Sequence, residues 1–234
     1  MRIKHLLHFL IFCFSFVSYA QTIPIYKTTN ILSIDGDLSD WNTPFTGPFV
    51  IHNSGQKANQ LTYVSFSWDS ENLYLAYRCS DSKIIGSPKN HDTAIFNTDD
   101  LVEIFIDPDG DGLNYLEIGV NAYSSNYDML IYCSAKSCGG WKTSLETDIL
   151  QMETMSKITN EGFSVEIKIP FCSLTSIKDS GFKIPTIGTK WKGNVFRIDY
   201  GNQTEYQAIT AYNGSQFGFH QPAQFKTFEF KDIQ

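Results

Sequence analysis

The stretch Asp99–Ala122, DDLVEIFIDPDGDGLNYLEIGVNA, constrains this chain more than any other. Leu101, Glu103 and Phe105 alternate with Val102, Ile104 and Ile106, the period of two that a half-buried strand requires. DPDGDG then supplies turn chemistry: Pro108 fixes φ, and Gly110 and Gly112 tolerate positive φ. A second strand runs from Asn114 to Ala122, so the stretch reads as a β-hairpin. Asp107, Asp109 and Asp111 crowd its tip, and Glu103 and Asn121 place polar groups on its strands.

The same alternation recurs along the chain. Leu61–Trp68 and Leu73–Arg78 flank a turn and predict a second hairpin, with Thr62, Val64, Phe66 and Trp68 on one face. In Gly162–Pro170, Phe163, Val165, Ile167 and Ile169 alternate with Ser164, Glu166 and Lys168. Further strands are expected over Tyr127–Cys133, as two short pieces within Thr147–Thr159, over Trp191–Tyr200 and over Phe225–Phe230. Residues 42–60, 80–98 and 175–190 read as loops, and Phe171–Leu174 as one helical turn. Asp35-Gly36-Asp37 is a turn, and Trp41 is expected to plug the sandwich edge. No long stretch carries a helical period. The expectation is all-β: one antiparallel, jelly-roll-like β-sandwich domain over residues 21–234.

Residues 1–20 have the anatomy of a cleaved export leader. Arg2 and Lys4 precede an apolar run from Leu6 to Val17, and Ser18 and Ala20 are small residues ahead of cleavage before Gln21. A secreted or periplasmic protein follows. The apolar run is too short for a comfortable span and no later stretch replaces it, so no membrane insertion is expected. Setting aside Arg2 and Lys4, the 18 basic side chains fall to 16, against 25 acidic ones. Such a surface disfavours nucleic acid and suits uncharged partners and divalent cations. Cys79, Cys133, Cys138 and Cys172 form an even set in an exported chain. A Cys133–Cys138 staple with a Cys79–Cys172 bridge is one reading, four free thiols packed as small hydrophobes a second, and a zinc site, for which no histidine stands at ligand spacing, a third.

IDGDLSDW, FSWDSENLYLAYRCSD, DDLVEIFIDPDGDGLNYLEIGVNA, GFSVEIKIPFCSL and FGFHQPAQFKTFEF occur in that order. Together they resemble the family 9 carbohydrate-binding modules and their relatives in the wider DOMON-like superfamily. The resemblance implies a non-catalytic carbohydrate-binding protein. Two aromatic side chains would stack on a sugar, at positions that fall on Phe96 and Phe219 where the better-known members carry tryptophan. Glu103, Asn121 and His220 match the family's polar positions. A basic residue usual two places before the asparagine is Gly119 here, and His220 stands where an arginine occurs. Tyr123 and Trp141 are further platform candidates. The resemblance also implies a structural calcium, with Asp107, Asp109 and Asp111 as hard oxygen donors at alternate positions, or Asp35 and Asp37. Glycan-degrading enzymes are the implied partners.

Other readings compete. Glu103 is equally suited to a structural ion pair with Lys168 or Arg197. A scaffold or adhesion domain without sugar binding would account for two Phe and Gly119. Haem binding, known in some DOMON-like relatives, would draw axial ligands from His52, His91, His220, Met129, Met152 or Met155. A glycoside hydrolase needs two carboxylates from separate walls of a cleft, whereas Asp99, Asp100 and Glu103 come from one short stretch.

Overall fold

Hydrophobic side chains at every second position drive this chain into strands. The structure, a computed structural model, describes residues 22–132, 142–174, 182–214 and 216–233. The leader read at residues 1–20, Cys133, Cys138 and Trp141 lie outside the described residues. The strands are β1 (Thr22–Lys27), β2 (Val50–Ile51), β3 (Thr62–Trp68), β4 (Asn72–Ser80), β5 (Leu101–Asp107), β6 (Tyr115–Asn121) and β7 (Asn126–Tyr132). They continue as β8 (Lys142–Ser144), β9 (Glu153–Thr159), β10 (Gly162–Pro170), β11 (Lys190–Asp199), β12 (Glu205–Ala208) and β13 (Lys226–Lys231). Single 3-10 turns cover Leu38–Asp40, Ile95–Asn97 and Pro222–Gln224, and residues 171–174 form the expected helical turn.

The strands pair in the order β8-β7-β6-β5-β11-β13-β1-β3-β4-β10-β9, with β12 on β11 and β2 on β12. Pairing is antiparallel except at β1, which runs parallel to both β13 and β3. The sheet curls so that inward faces from both limbs share one core. Val64, Phe66 and Trp68 of β3, Leu73, Leu75 and Tyr77 of β4, and Phe163, Val165 and Ile167 of β10 meet Val102, Ile104 and Ile106 of β5. This is the predicted sandwich, its inward side chains interdigitating between the layers.

Several details depart from the sequence-based expectations. β5 is buried along its whole length rather than on one face. Leu101 and Phe105 pack in a second cluster with Tyr127, Phe196, Phe219 and Phe225, so its outer face is roofed by the loops before β5 and β13. β2 lies in a stretch read as loop and β12 in one where no strand was expected, because two-residue and four-residue pairings leave little periodicity to see. Residues 147–159 hold one strand instead of two.

The Cys79–Cys172 bridge is overturned. Cys79 is a buried free thiol and Cys172 an exposed one. The β4–β10 register pairs Phe163 with Cys79 and Pro170 with Asn72, which sets Cys172 at the far end of the strand from Cys79. A disulfide needs Cα atoms within about 7 Å, and a strand of this length separates them several-fold further.

Trp41 plugs the outer face of β4 and β10 rather than an edge. It packs with Leu32, Tyr74 and Ala76, and its Nε1 donates to Glu166 Oε1 at 2.6 Å. Glu166 Oε2 also accepts from the backbone N–H of Asp35 and Gly36. One buried carboxylate thereby ties the whole IDGDLSDW turn to the sheet.

Candidate functional site

Four residues singled out in the sequence come together. Phe96, Glu103, Phe219 and His220 border one cleft of about 280 Å³ on the outer face of β5 and β6. β5 supplies Glu103, the 3-10 turn before it supplies Phe96, and the loop before β13 supplies the other two. Phe217 and Tyr206 complete an aromatic wall. The two closing phenylalanines play different parts. Phe219 is 7% exposed and lies flat on Phe196, centroids 4.1 Å apart at 12°. Phe217 is 62% exposed and presents its ring edge-on to Tyr206 and His52. His52 holds this loop, accepting from Gly218 N–H at Nε2.

The cleft floor is acidic. Glu103 and Glu117 are 2% and 3% exposed on neighbouring strands. Tyr127 Oη lies 2.9 Å from Glu103 Oε1 and 2.6 Å from Glu117 Oε1. A phenol has one proton, so it serves one carboxylate at a time, and a proton held by the other carboxyl completes the bridge. Burial pushes Glu103 up to about 7. Burial, and then the charge of Glu103, push Glu117 well above the usual carboxylate range. His220 stacks on Phe105 at 4.8 Å, with Tyr115 Oη 2.9 Å from Nδ1 and Glu117 Oε2 3.4 Å from Nε2. Burial pushes its pKa down to about 4, so the ring is neutral near pH 7.

The expected ion pair of Glu103 with Lys168 or Arg197 is corrected. Lys168 pairs with Glu153, and Arg197 with Asp81 and Asp199. Phe196 stands opposite Glu103 in the β5–β11 register, so Arg197 projects to the other face of the sheet.

Asn121 and Tyr123 sit away from the cleft. Asn121 Nδ2 donates to Asp99 Oδ2 and the Ser87 carbonyl, while Oδ1 accepts from the N–H of Tyr123 and Ser125. Its amide therefore holds the turn after β6 against the loop before β5. Tyr123 is 38% exposed on that turn. Asp99 and Asp100 likewise anchor loops, Asp100 accepting from the N–H of Ile85 and Tyr200. Among the residues weighed as haem ligands, Met129 joins His220 at the cleft. His91 faces Asn126 and Asp148 instead, Met155 accepts from Ser124 Oγ, and Met152 packs against the core.

Asp107, Asp109 and Asp111 converge at the hairpin tip, with one oxygen from each within 4.8 Å of the others. Asp107 also accepts from the N–H of Gly110 and Gly112. Burial and the neighbouring Asp109 push Asp107 up to about 7, a crowding that a divalent cation would relieve. Asp81, Asp100 and Asp199 form a second, buried oxygen cluster, with the Arg197 guanidinium already set against two of them. At Asp35 and Asp37 the turn closes on itself and on Lys157, whose Nζ donates to Asp37 Oδ2 at 2.7 Å.

A family model, carbohydrate family 9 binding domain-like, matches residues 34–232. The chain belongs to the family 9 carbohydrate-binding domains. This family 9 domain is 30% identical over 169 residues to endo-1,4-beta-xylanase A of Thermoanaerobacterium saccharolyticum, covering 68% of the chain but only 13% of the xylanase. Its fold is similar to that of a family 9 module from Caldicellulosiruptor kristjanssonii in complex with glucose. That likeness has a TM-score of 0.65 at 18% identity, with 92% of this chain and 97% of that one covered. The same holds for a module from that organism in complex with cellotriose: TM-score 0.63, 18% identity, coverage 92% and 95%.

In this family 9 domain, Glu117, Tyr127 and Phe217 escaped the reading of the sequence. Glu117 was within reach of it: in a hairpin whose Glu103 faces Gly119, Glu117 shares the outer face of β6 with position 119. Nothing local marks Phe217, because it enters the cleft from more than a hundred residues along the chain.

Proposed function

We propose that the cleft bordered by Phe96, Phe217, Phe219, Glu103 and His220 is a carbohydrate site, and that the protein binds a glycan without cleaving it. The observation that carries this is the convergence of exposed aromatic faces and polar side chains from three separate segments on one cleft. A sugar asks for that combination: a flat apolar platform and directed hydrogen bonds to its hydroxyls. The volume, about 280 Å³, suits one terminal ring rather than a long chain. Phe217 and Phe96 serve as the platform, and Phe219, stacked on Phe196 and edge-on to Tyr206, is part of the cleft wall.

Binding rather than cleavage is favoured by where the carboxyls stand. Glu103 and Glu117 rise from adjacent strands of one sheet and share one tyrosine hydroxyl. Both therefore lie on the same side of any ligand, whereas a glycosidase sets its acid and its base or nucleophile on either side of the scissile bond.

The proposal extends to a calcium ion held by Asp107, Asp109 and Asp111, stabilising the hairpin tip. It extends also to export, and to work beside glycan-degrading enzymes, in keeping with a relative that is a xylanase. A glycan array on the chain lacking its leader, followed by calorimetry on Phe217→Ala, tests the sugar reading. Binding to a defined glycan that Phe217→Ala abolishes is expected, and an array without a single hit overturns it. Melting with calcium and with a chelator, repeated on Asp109→Asn, tests the ion. No shift on calcium addition overturns that part.

A further inference from the structure

Among the described residues that line the cleft, none is a lysine or an arginine to balance its acidic floor. Glu103 and Glu117 each use Oε1 against Tyr127, and each leaves Oε2 buried without a hydrogen-bond partner. An unpaired buried carboxylate oxygen is costly, and such atoms gather where a ligand is to be met. The residue facing Glu103 across the β5–β6 ladder is Gly119, and the space above it is filled by the Tyr127 ring. Arg197 is spent on Asp81 and Asp199 on the other face of the sheet. His220 stands 3.4 Å from Glu117 Oε2 as a neutral ring near pH 7. Around these acids stand Phe96, Phe217 and Tyr206, aromatic rings that attract cations.

We propose that this cleft selects a sugar bearing a free primary ammonium, a 2-amino-2-deoxyhexose of the glucosamine type, over neutral and N-acetylated sugars. The inference rests on the sugar reading above and deepens it. An ammonium brings three donors and one positive charge, which two carboxyls and their shared phenol are equipped to receive. The terminal torsion of a glutamate is broad, so either Oε2 turns toward the ligand at small cost. An acetamide in the same place brings one donor, no charge and extra bulk. It would leave the acidic floor unpaired.

Isothermal calorimetry of the chain lacking its leader, at pH 7, with glucosamine, N-acetylglucosamine and glucose separates the possibilities. Glucosamine is expected to bind about tenfold or more tightly than either of the others, as charge-assisted contacts in a desolvated site allow. Glu117→Gln, which keeps the volume and an acceptor for Tyr127, is expected to bring the three sugars within about threefold of one another. If that variant fails to fold, the wild-type ranking alone decides. Glucose binding as tightly as glucosamine would overturn this inference and leave the sugar site standing. Binding of none of the three would overturn this inference, and the glycan array then decides the sugar reading.

Discussion

The ring of Tyr127 occupies the space where a side chain at position 119 would lie. A Cβ on Gly119 would sit 2.2 Å from Tyr127 Cε1 and 2.8 Å from its hydroxyl. The glycine and the tyrosine therefore form one unit, in which the missing side chain admits the ring that bridges Glu103 and Glu117. Gly119→Ala is expected to destabilise the protein by about 1–3 kcal/mol through overpacking. Urea denaturation measures this. The same substitution in a Tyr127→Ala background should cost much less, and equal costs in both backgrounds would separate the two residues.

Phe217 and Phe219 are predicted to divide recognition from stability. Phe219→Ala removes a ring stacked on Phe196 and should cost roughly 3–5 kcal/mol. Phe217→Ala removes an exposed ring and should change stability by no more than about 0.5 kcal/mol while weakening ligand binding. Paired chemical denaturation and calorimetry would show the split. A large stability loss from Phe217→Ala contradicts it.

The buried carboxyls set a pH dependence. Glu103 and Glu117 ionise near 4.5 in the unfolded chain, while the fold raises Glu103 to about 7 and Glu117 further. Tyr127, Tyr115 and His220 face the pair, and neither a lysine nor an arginine is among them to oppose the rise near pH 7. The folded state then holds more protons than the unfolded one as pH rises from 4.5, so stability falls through that window. Each fully linked proton contributes at most about 1.4 kcal/mol per pH unit. His220 acts oppositely: its folded value of about 4 lies below 6.5, so its contribution is lost as pH falls between them. Two carboxyls outweigh one imidazole, and the ligand-free protein should unfold at lower urea at pH 8 than at pH 5. Glu117→Gln should flatten the difference.

Glu166 is predicted to be the anchor of the N-terminal turn. It accepts from Trp41 Nε1 and from the backbone N–H of Asp35 and Gly36. Glu166→Ala leaves those donors without an acceptor and should cost roughly 2–4 kcal/mol. Ligand binding should persist in the folded fraction, because Glu166 is on β10 and outside the cleft. Tryptophan fluorescence during denaturation reads both the loss and the release of Trp41.

The alternation of side chains by itself determined the longer strands and which of their residues share a face. Phe163, Val165, Ile167 and Ile169 declare one buried face, and the whole run faces the core. The hairpin itself follows from DPDGDG and the alternating strands it joins, and the fold sets its register, Glu103 opposite Gly119. Such information is local, because a period of two and a turn are properties of neighbouring residues. What lies on the outer face of β5 is not local. The curl of the sheet and the course of the loop before β13 bring Phe217, Phe219 and His220 over Glu103, and bury a face that alternation alone reads as open to solvent. The same holds for Arg197, whose charge suggested a partner in Glu103. The strand pleat turns it to the other face, where Asp81 meets it from more than a hundred residues away. The chain's periodicity thus determined which residues share a face, while the tertiary structure alone decided which faces meet, because contacts so distant in sequence depend on how the whole sheet closes.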